Sequence, residues 1–186
     1  MTRHLFEKLW AEKKPGQQKQ EYYYFLKWLW YYFKERAITN PTVVEIGIRR
    51  GAQKRFYEQL LGARHIGIDI SATYGRADIL GDSQAPFTVL RLGELLQMKT
   101  GRARCDLVFI DGDHSLRGVR RDYELYKDLA PLIAIHDIYC TRKDVAVLDF
   151  WGSLNRYKMM DRSFIEFFSP EPPDHYGIGV IESLLL

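Results

Sequence analysis

Residues 42–69, TVVEIGIRRGAQKRFYEQLLGARHIGID, hold an apolar run, a glycine turn, an amphipathic segment and a second apolar run that closes on an aspartate. RGAQKRFYEQLL reads as a helix between two strands, so the local order is βαβ. The pattern continues with a weak strand at 77–80, a helix PFTVLRLGELLQ (86–97), a strand DLVFID (106–111), a helix SLRGVRRDYELYKDLA (115–130) and a strand LIAIHDI (132–138). A helix over 144–155 and two closing strands, SFIEFF (163–168) and YGIGVIESLLL (176–186), complete it. VVEIGI, LVFI and LIAI show little alternation, as expected of central parallel strands covered on both faces. The expected fold class is α/β, a single doubly wound Rossmann-like domain.

Upstream, EYYYFLKWLWYYFKER (21–36) carries bulky residues around almost the whole helical circumference, so this helix must be covered. Packing on its own domain, a cap over a substrate pocket and a dimer contact all satisfy that need. Asn40-Pro41 ends the segment, because the residue before proline avoids helical dihedrals.

Composition narrows the function classes. The chain has 27 basic and 24 acidic side chains and a net charge of +3, too small a bias to make nucleic acid the main partner. Cys105 and Cys140 lie far apart with no CxxC spacing, which argues against a disulfide framework or a thiolate zinc site and fits a reducing cytoplasm. The N-terminal residues carry charges throughout and no apolar core of a secretory signal. The most apolar stretch, 22–33, contains Lys27 and falls well short of the roughly 20 residues a membrane span needs. A soluble protein is expected.

In an open parallel sheet, ligands collect beyond the carboxyl ends of the strands. Those ends are acidic here: Glu45, Asp69, Asp82, Asp111 and Asp137. Carboxylates converging on one edge repel one another unless a cation or hydroxyl groups compensate, so the series points to ligands. The turn from Glu45 to Gly51 contains Gly47 and Gly51 in G-x-x-x-G spacing, a departure from the G-x-G-x-x-G pyrophosphate fingerprint. A nucleoside without a pyrophosphate fits better than a dinucleotide, and Asp69 stands where a carboxylate can accept both ribose hydroxyls. A tight turn beside a solvated aspartate is the plainer alternative.

The stretches VVEIGIRRG, HIGIDI, GDS, LVFIDGDHS and IAIHDI together resemble the class I S-adenosylmethionine-dependent methyltransferases. Within that class the resemblance is to small-molecule enzymes related to cephalosporin hydroxylase-like and macrolide-sugar O-methyltransferases. It covers roughly residues 42–155, and FIDGDHS followed by a strand ending in HD is its most specific part. It implies a mostly parallel seven-stranded sheet with an antiparallel last strand, residues 1–40 as an N-terminal helical cap or dimerisation segment, and residues 41–186 as the methyltransferase domain. It also implies that Glu45, Gly47 and Gly51 surround the methionine part of the cofactor, that Asp69 holds the ribose and that Asp82 and Ser83 lie near the adenine, with Asp111 beside them. By the same resemblance Asp111 and the His136-Asp137 pair would bind a divalent cation, Mg or Mn, and His114 would be the catalytic base. The pair is Glu-Asp in those relatives; His136 in its place either shifts the site toward softer metals or stands outside the ligand set.

The chemistry has an independent rationale. A methyl acceptor hydroxyl reacts better after losing its proton, a divalent cation stabilises the resulting oxyanion, and a neutral histidine with a pKa of about 6.5 can take that proton. The expected function is O-methylation of a small-molecule hydroxyl, a sugar or secondary metabolite. A non-catalytic cofactor-binding partner subunit and a nicotinamide-dependent oxidoreductase are the competing readings, and a homo-oligomer through the aromatic helix is a further expectation. Arg117, Arg120 and Arg121 read as solvated, and Ser115 as a helix cap.

Overall fold

The computed structural model describes residues 1–73, 75–154, 161–169 and 176–184. Along the chain lie α1 (Arg3–Glu12), α2 (Lys19–Glu35), β1 (Thr42–Ile46), α3 (Lys54–Leu61), β2 (Arg64–Asp69), β3 (Ile79–Leu80) and α4 (Pro86–Thr100). They are followed by β4 (Leu107–Ile110), α5 (Leu116–Tyr126), β5 (Leu132–His136), α6 (Val147–Ser153), β6 (Arg162–Phe167) and β7 (Ile178–Ser183). The strands form one sheet in the order β3-β2-β1-β4-β5-β7-β6. Neighbours from β3 through β5 are parallel, and β7 runs antiparallel to both β5 and β6. This is the expected seven-stranded sheet with its last strand reversed. Chain order reverses direction between β1 and β4, which makes their carboxyl ends the topological switch point.

Alternate residues of the central strands feed two cores. Val44, Ile46, Ile68, Val108, Ile110 and Ile135 join Leu92, Leu96, Val119, Tyr123 and Trp151 of α4, α5 and α6 on one face. On the other face, Val43, Leu107, Phe109 and Ala134 join Phe6, Leu9, Phe25, Leu29 and Phe56 of α1, α2 and α3. Tyr22, Phe25, Leu26 and Leu29 of α2 are completely buried, each stabilising the fold by about 1.5–3 kcal/mol relative to exposure. The aromatic helix is therefore covered by its own domain, with Tyr24 and Tyr31 left exposed on its outer side.

Several boundaries differ from the sequence expectation for identifiable reasons. Helix α3 starts at Lys54 because the preceding turn carries Arg49 and Gly51 at positive φ. Strand β3 has two residues, since the Asp78 carboxylate turns back to accept from Gly67 N. Helix α4 runs on to Thr100, where Gly101 at φ +74° closes it in the left-handed conformation. Helix α5 stops at Tyr126, beyond which Leu129 N bonds to Tyr126 O. Helix α6 is confined to Val147–Ser153; Asn155, Leu185 and Leu186, at the ends of expected elements, lie outside the described residues. Among the described residues, no helix is long and apolar enough to cross a membrane.

Two glycines separate two kinds of constraint. Gly47 has φ +84°, and a β-carbon there would overlap the carbonyl of Asp111; Gly51 has φ +60° with open space beside it. Gly51→Ala is expected to cost about 1–2 kcal/mol from conformation alone, and Gly47→Ala clearly more. Urea melts of the two variants check the ranking, and equal losses would contradict it.

Candidate functional site

The parallel register puts Ile46 beside Ile68 and Ile110, and Ile110 beside Ile135, so β1, β2, β4 and β5 end along one edge. A cleft of about 890 Å³ opens there. Glu45, Gly47, Asp69, Asp82, Ser83, Asp111, His114, His136 and Asp137 all line it. The acidic strand ends thus converge on one rim, as the sequence implied. Gly51 does not line the cleft; its role here is the positive φ of the turn.

Each residue is held by partners that its local structure dictates. Asp69 accepts from Arg49 N at 2.9 Å with one carboxylate oxygen and from Ser71 N at 2.8 Å with the other. Each oxygen keeps capacity for one further hydrogen bond, so the carboxylate fits a ribose diol. Asp82 accepts from Gln84 N, and Ser83 donates its hydroxyl to Asp122 at 2.8 Å. Burial pushes the Asp122 carboxyl up to about 6, against the opposing hydrogen bond from Ser83. Glu45 is 1% exposed, 2.6 Å from His65 Nε2, and accepts from Gln53 at 3.0 Å. Burial raises its pKa, against the pull of His65. Its engagement with protein partners makes it a support for the β1 turn as well as a cleft wall.

The β4 and β5 ends form a closed ring of alternating carboxylate and imidazole. Asp111 Oδ1 lies 3.2 Å from His114 Nε2 and 3.1 Å from His136 Nδ1, and Asp137 lies 3.0 Å from His114 Nδ1 and 3.1 Å from His136 Nδ1. Asp137 follows β5 at φ +67°, a left-handed conformation that aspartate tolerates better than most residues. Hydrogen bonding to Asp111 and Asp137 pushes the His114 pKa up to about 10 against its partial burial. Burial opposes a charge on His136, yet Asp111, Glu21 and Asp137 hold its pKa well above the ordinary value. Burial likewise would raise Asp111, but His136 and His114 together hold it below the ordinary carboxylate range. His114 is therefore cationic at neutral pH in this arrangement, which differs from the neutral base expected from sequence.

These carboxylates do not fit a divalent cation as they stand. A hard cation needs oxygen lone pairs directed at a common point. The Asp111 and Asp137 oxygens face imidazole nitrogens, and the second Asp111 oxygen accepts from Gln17 Nε2 at 2.8 Å. Among the described residues, no group of three or more His, Cys, Asp or Glu side chains is placed to hold a metal ion.

Sequence reasoning offered residues 1–40 as a cap or dimerisation segment but singled out none of the side chains by which that segment reaches the cleft. Lys14, Pro15, Gly16 and Gln17, between α1 and α2, line the cleft, and Lys13 Nζ donates to Arg50 O at 2.6 Å. Gln17 is 5% exposed, and its Oε1 is buried without a hydrogen-bond partner. Glu21, completely buried, accepts from Gln18 N and Gly177 N and lies 3.8 Å from His136 Nε2. Nothing local marks Gln17, which reaches Asp111 across 94 positions of chain. Glu21 carried one faint signal, an acid on an otherwise aromatic helix face.

No family model matches the chain, and no curated protein matches it in sequence. Solved structures do match. The O-methyltransferase TomG from Streptomyces achromogenes, involved in tomaymycin synthesis and solved with SAM, aligns with a TM-score of 0.60 at 13% identity, covering 98% of this chain and 91% of that one. An O-methyltransferase from Bacillus cereus in complex with SAH gives 0.58 at 13% identity, covering 98% and 92%. A putative RNA methyltransferase from Pyrococcus horikoshii gives 0.53 at 13% identity, covering the whole of both chains. The chain has the Rossmann-like fold of the class I methyltransferases.

The ring has a pH signature. A histidine raised from 6.5 to about 10 in the fold contributes stability that is complete below pH 6.5 and lost as pH rises through about 10. The melting temperature is expected to fall across that window, and His114→Gln to lower it at pH 6.5 while flattening the fall. A variant with an undiminished slope would contradict this assignment.

Proposed function

We propose that the chain is an S-adenosylmethionine-dependent methyltransferase that methylates a hydroxyl of a small molecule. The observation that carries this reading is the convergence of Glu45, Asp69, Asp82 and Asp111 on one cleft of a methyltransferase fold. The open carboxylate capacity of Asp69 and the hydroxyl of Ser83 suit an adenosine, and the Gly47 turn suits the amino-acid end. The similar structures described as O-methyltransferases support oxygen as the acceptor atom.

When bound, the cofactor supplies an electrophilic methyl group on sulfur. The chain must then orient the acceptor and remove its proton. His114, with 30% of its side chain exposed, is the ring member that an acceptor can reach. We assign it as proton acceptor once the substrate hydroxyl takes the place of Asp137 at Nδ1. Losing one of the two carboxylates that raise its pKa brings the imidazole toward the range where it accepts a proton at neutral pH. Asp111, still at Nε2, fixes the ring and stabilises the imidazolium that forms, as a carboxylate does for a catalytic histidine. The N-terminal connector at Lys14 to Gln17 caps the cleft and limits access of water.

Calorimetry tests the cofactor half of this reading. S-adenosylhomocysteine is expected to bind saturably to the wild-type chain and at least about tenfold more weakly to Asp69→Ala, the loss of roughly one charged hydrogen bond. Unchanged affinity in that variant counts against the site. For the chemistry, a screen of hydroxylated acceptors with methyl-labelled cofactor is the measurement. With an accepted substrate, His114→Gln is expected to lower kcat by roughly 10²–10⁴-fold with cofactor affinity retained. Tight cofactor binding with no turnover on any acceptor would favour a non-catalytic partner subunit.

A further inference from the structure

Asp122 and Tyr126 stand one turn apart on α5, and both reach Ser83, on the turn after β3 that lines the cleft. The Tyr126 hydroxyl donates to the Ser83 main-chain oxygen at 2.8 Å, and the neighbouring Gln84 donates to Asp113 at 3.2 Å, so the turn is pinned on two sides. The Ser83 hydroxyl donates to Asp122 Oδ1 at 2.8 Å. Asp122 itself is completely buried, and its Oδ2 has no hydrogen-bond partner among the described residues. Burial pushes its carboxyl up to about 6 against the hydrogen bond from Ser83, and the nearby charges that bear on it, Asp113 and Asp82, are acids too. A carboxylate held this way costs stability, since a single neutral donor offsets its desolvation. An apolar side chain of similar size would fill the space at less cost. The carboxylate supplies direction instead.

A serine hydroxyl carries one proton and two lone pairs, and an ionised carboxylate can only accept. With the Ser83 proton committed to Asp122, the hydroxyl has lone pairs alone to present to the cleft. We infer that Asp122 is a positioning residue for nucleobase choice: by taking the Ser83 proton it makes this hydroxyl an acceptor, matched to the 6-amino group of adenine and mismatched to the 6-oxo group of hypoxanthine or guanine. The inference rests on the adenosyl-cofactor reading, in which Ser83 stands beside the base, and adds the group that sets the polarity of its hydroxyl. Asp122 is not among the residues that line the cleft, so it acts through Ser83. Asparagine would not do the same, because its amide can offer N–H to Ser83 and release the hydroxyl proton toward the cleft. Tyr126 and Gln84 hold the main chain of the turn, so the lone pairs face the cleft from a fixed point.

Calorimetry on the full chain at pH 7.5, with S-adenosylhomocysteine and its 6-oxo counterpart S-inosylhomocysteine as the two ligands, decides the point. Wild type is expected to bind the adenosyl compound at least about tenfold more tightly, the effect of one hydrogen bond made against two acceptors left facing each other. Asp122→Leu, checked for folding by circular dichroism, is expected to narrow that ratio toward one, because the freed hydroxyl can turn to donate or to accept. If the leucine variant does not fold, Asp122→Asn serves, and its amide is expected to narrow the ratio in the same direction. A merely structural role for Asp122 would weaken both ligands alike, so an unchanged ratio in a folded variant overturns the inference, as does equal affinity of wild type for the two compounds. Failure of S-adenosylhomocysteine to bind wild type is a different result: it removes the functional reading, and the inference with it.

Discussion

Asp111 is the point at which three distant parts of the chain meet its own loop. Its carbonyl crowds Gly47 after β1, its carboxylate accepts from Gln17 of the N-terminal connector, and His114 and His136 approach from the α5 and β5 sides. A buried carboxylate costs several kcal/mol unless it is paired and hydrogen-bonded, so these partners are a condition of folding as well as of chemistry. The connector between α1 and α2 completes the pairing through Gln17. Breaking the pairing at one member would leave the others exposed to the same desolvation penalty.

The meeting point exists because parallel strands all deliver their ends to one side. The two apolar faces of the sheet fix register, since a one-residue slip would turn Val44 and Ile46 out of one core and Val43 out of the other. Once register is fixed, Ile46, Ile68, Ile110 and Ile135 stand level, and the polar residues that follow them have nowhere to go but the cleft. Rigid strands then hold ionisable groups in contact while the loops beyond them supply access. Here the sheet supplies the precision, and the β1 turn and the N-terminal connector supply the enclosure.

Much of this was legible in the sequence because it depends on local pattern. Continuous apolar runs marked β1, β4 and β5, and the acids at their ends marked the rim, so Asp69, Asp82 and Asp111 fell where expected. What stayed hidden depends on contacts between remote segments. Gln17 has no local feature that announces a partner 94 positions away, and the place of Glu21 follows only from how α2 lies across the sheet. The charge on His114 was misjudged for the same reason: Asp111 alone is near in sequence, while Asp137, the second carboxylate that raises it, arrives from another strand. Gly47 and Gly51 looked alike in sequence, yet only one is pressed against another backbone.

Crystals grown with S-adenosylhomocysteine give the most direct test of the central claim, that the acidic strand ends form one adenosyl site. Density is expected in the cleft with the ribose hydroxyls on Asp69 and the sulfur on the side of Asp111 and His114. A ligand bound elsewhere on the molecule, with Asp69 and Asp111 untouched, would contradict it.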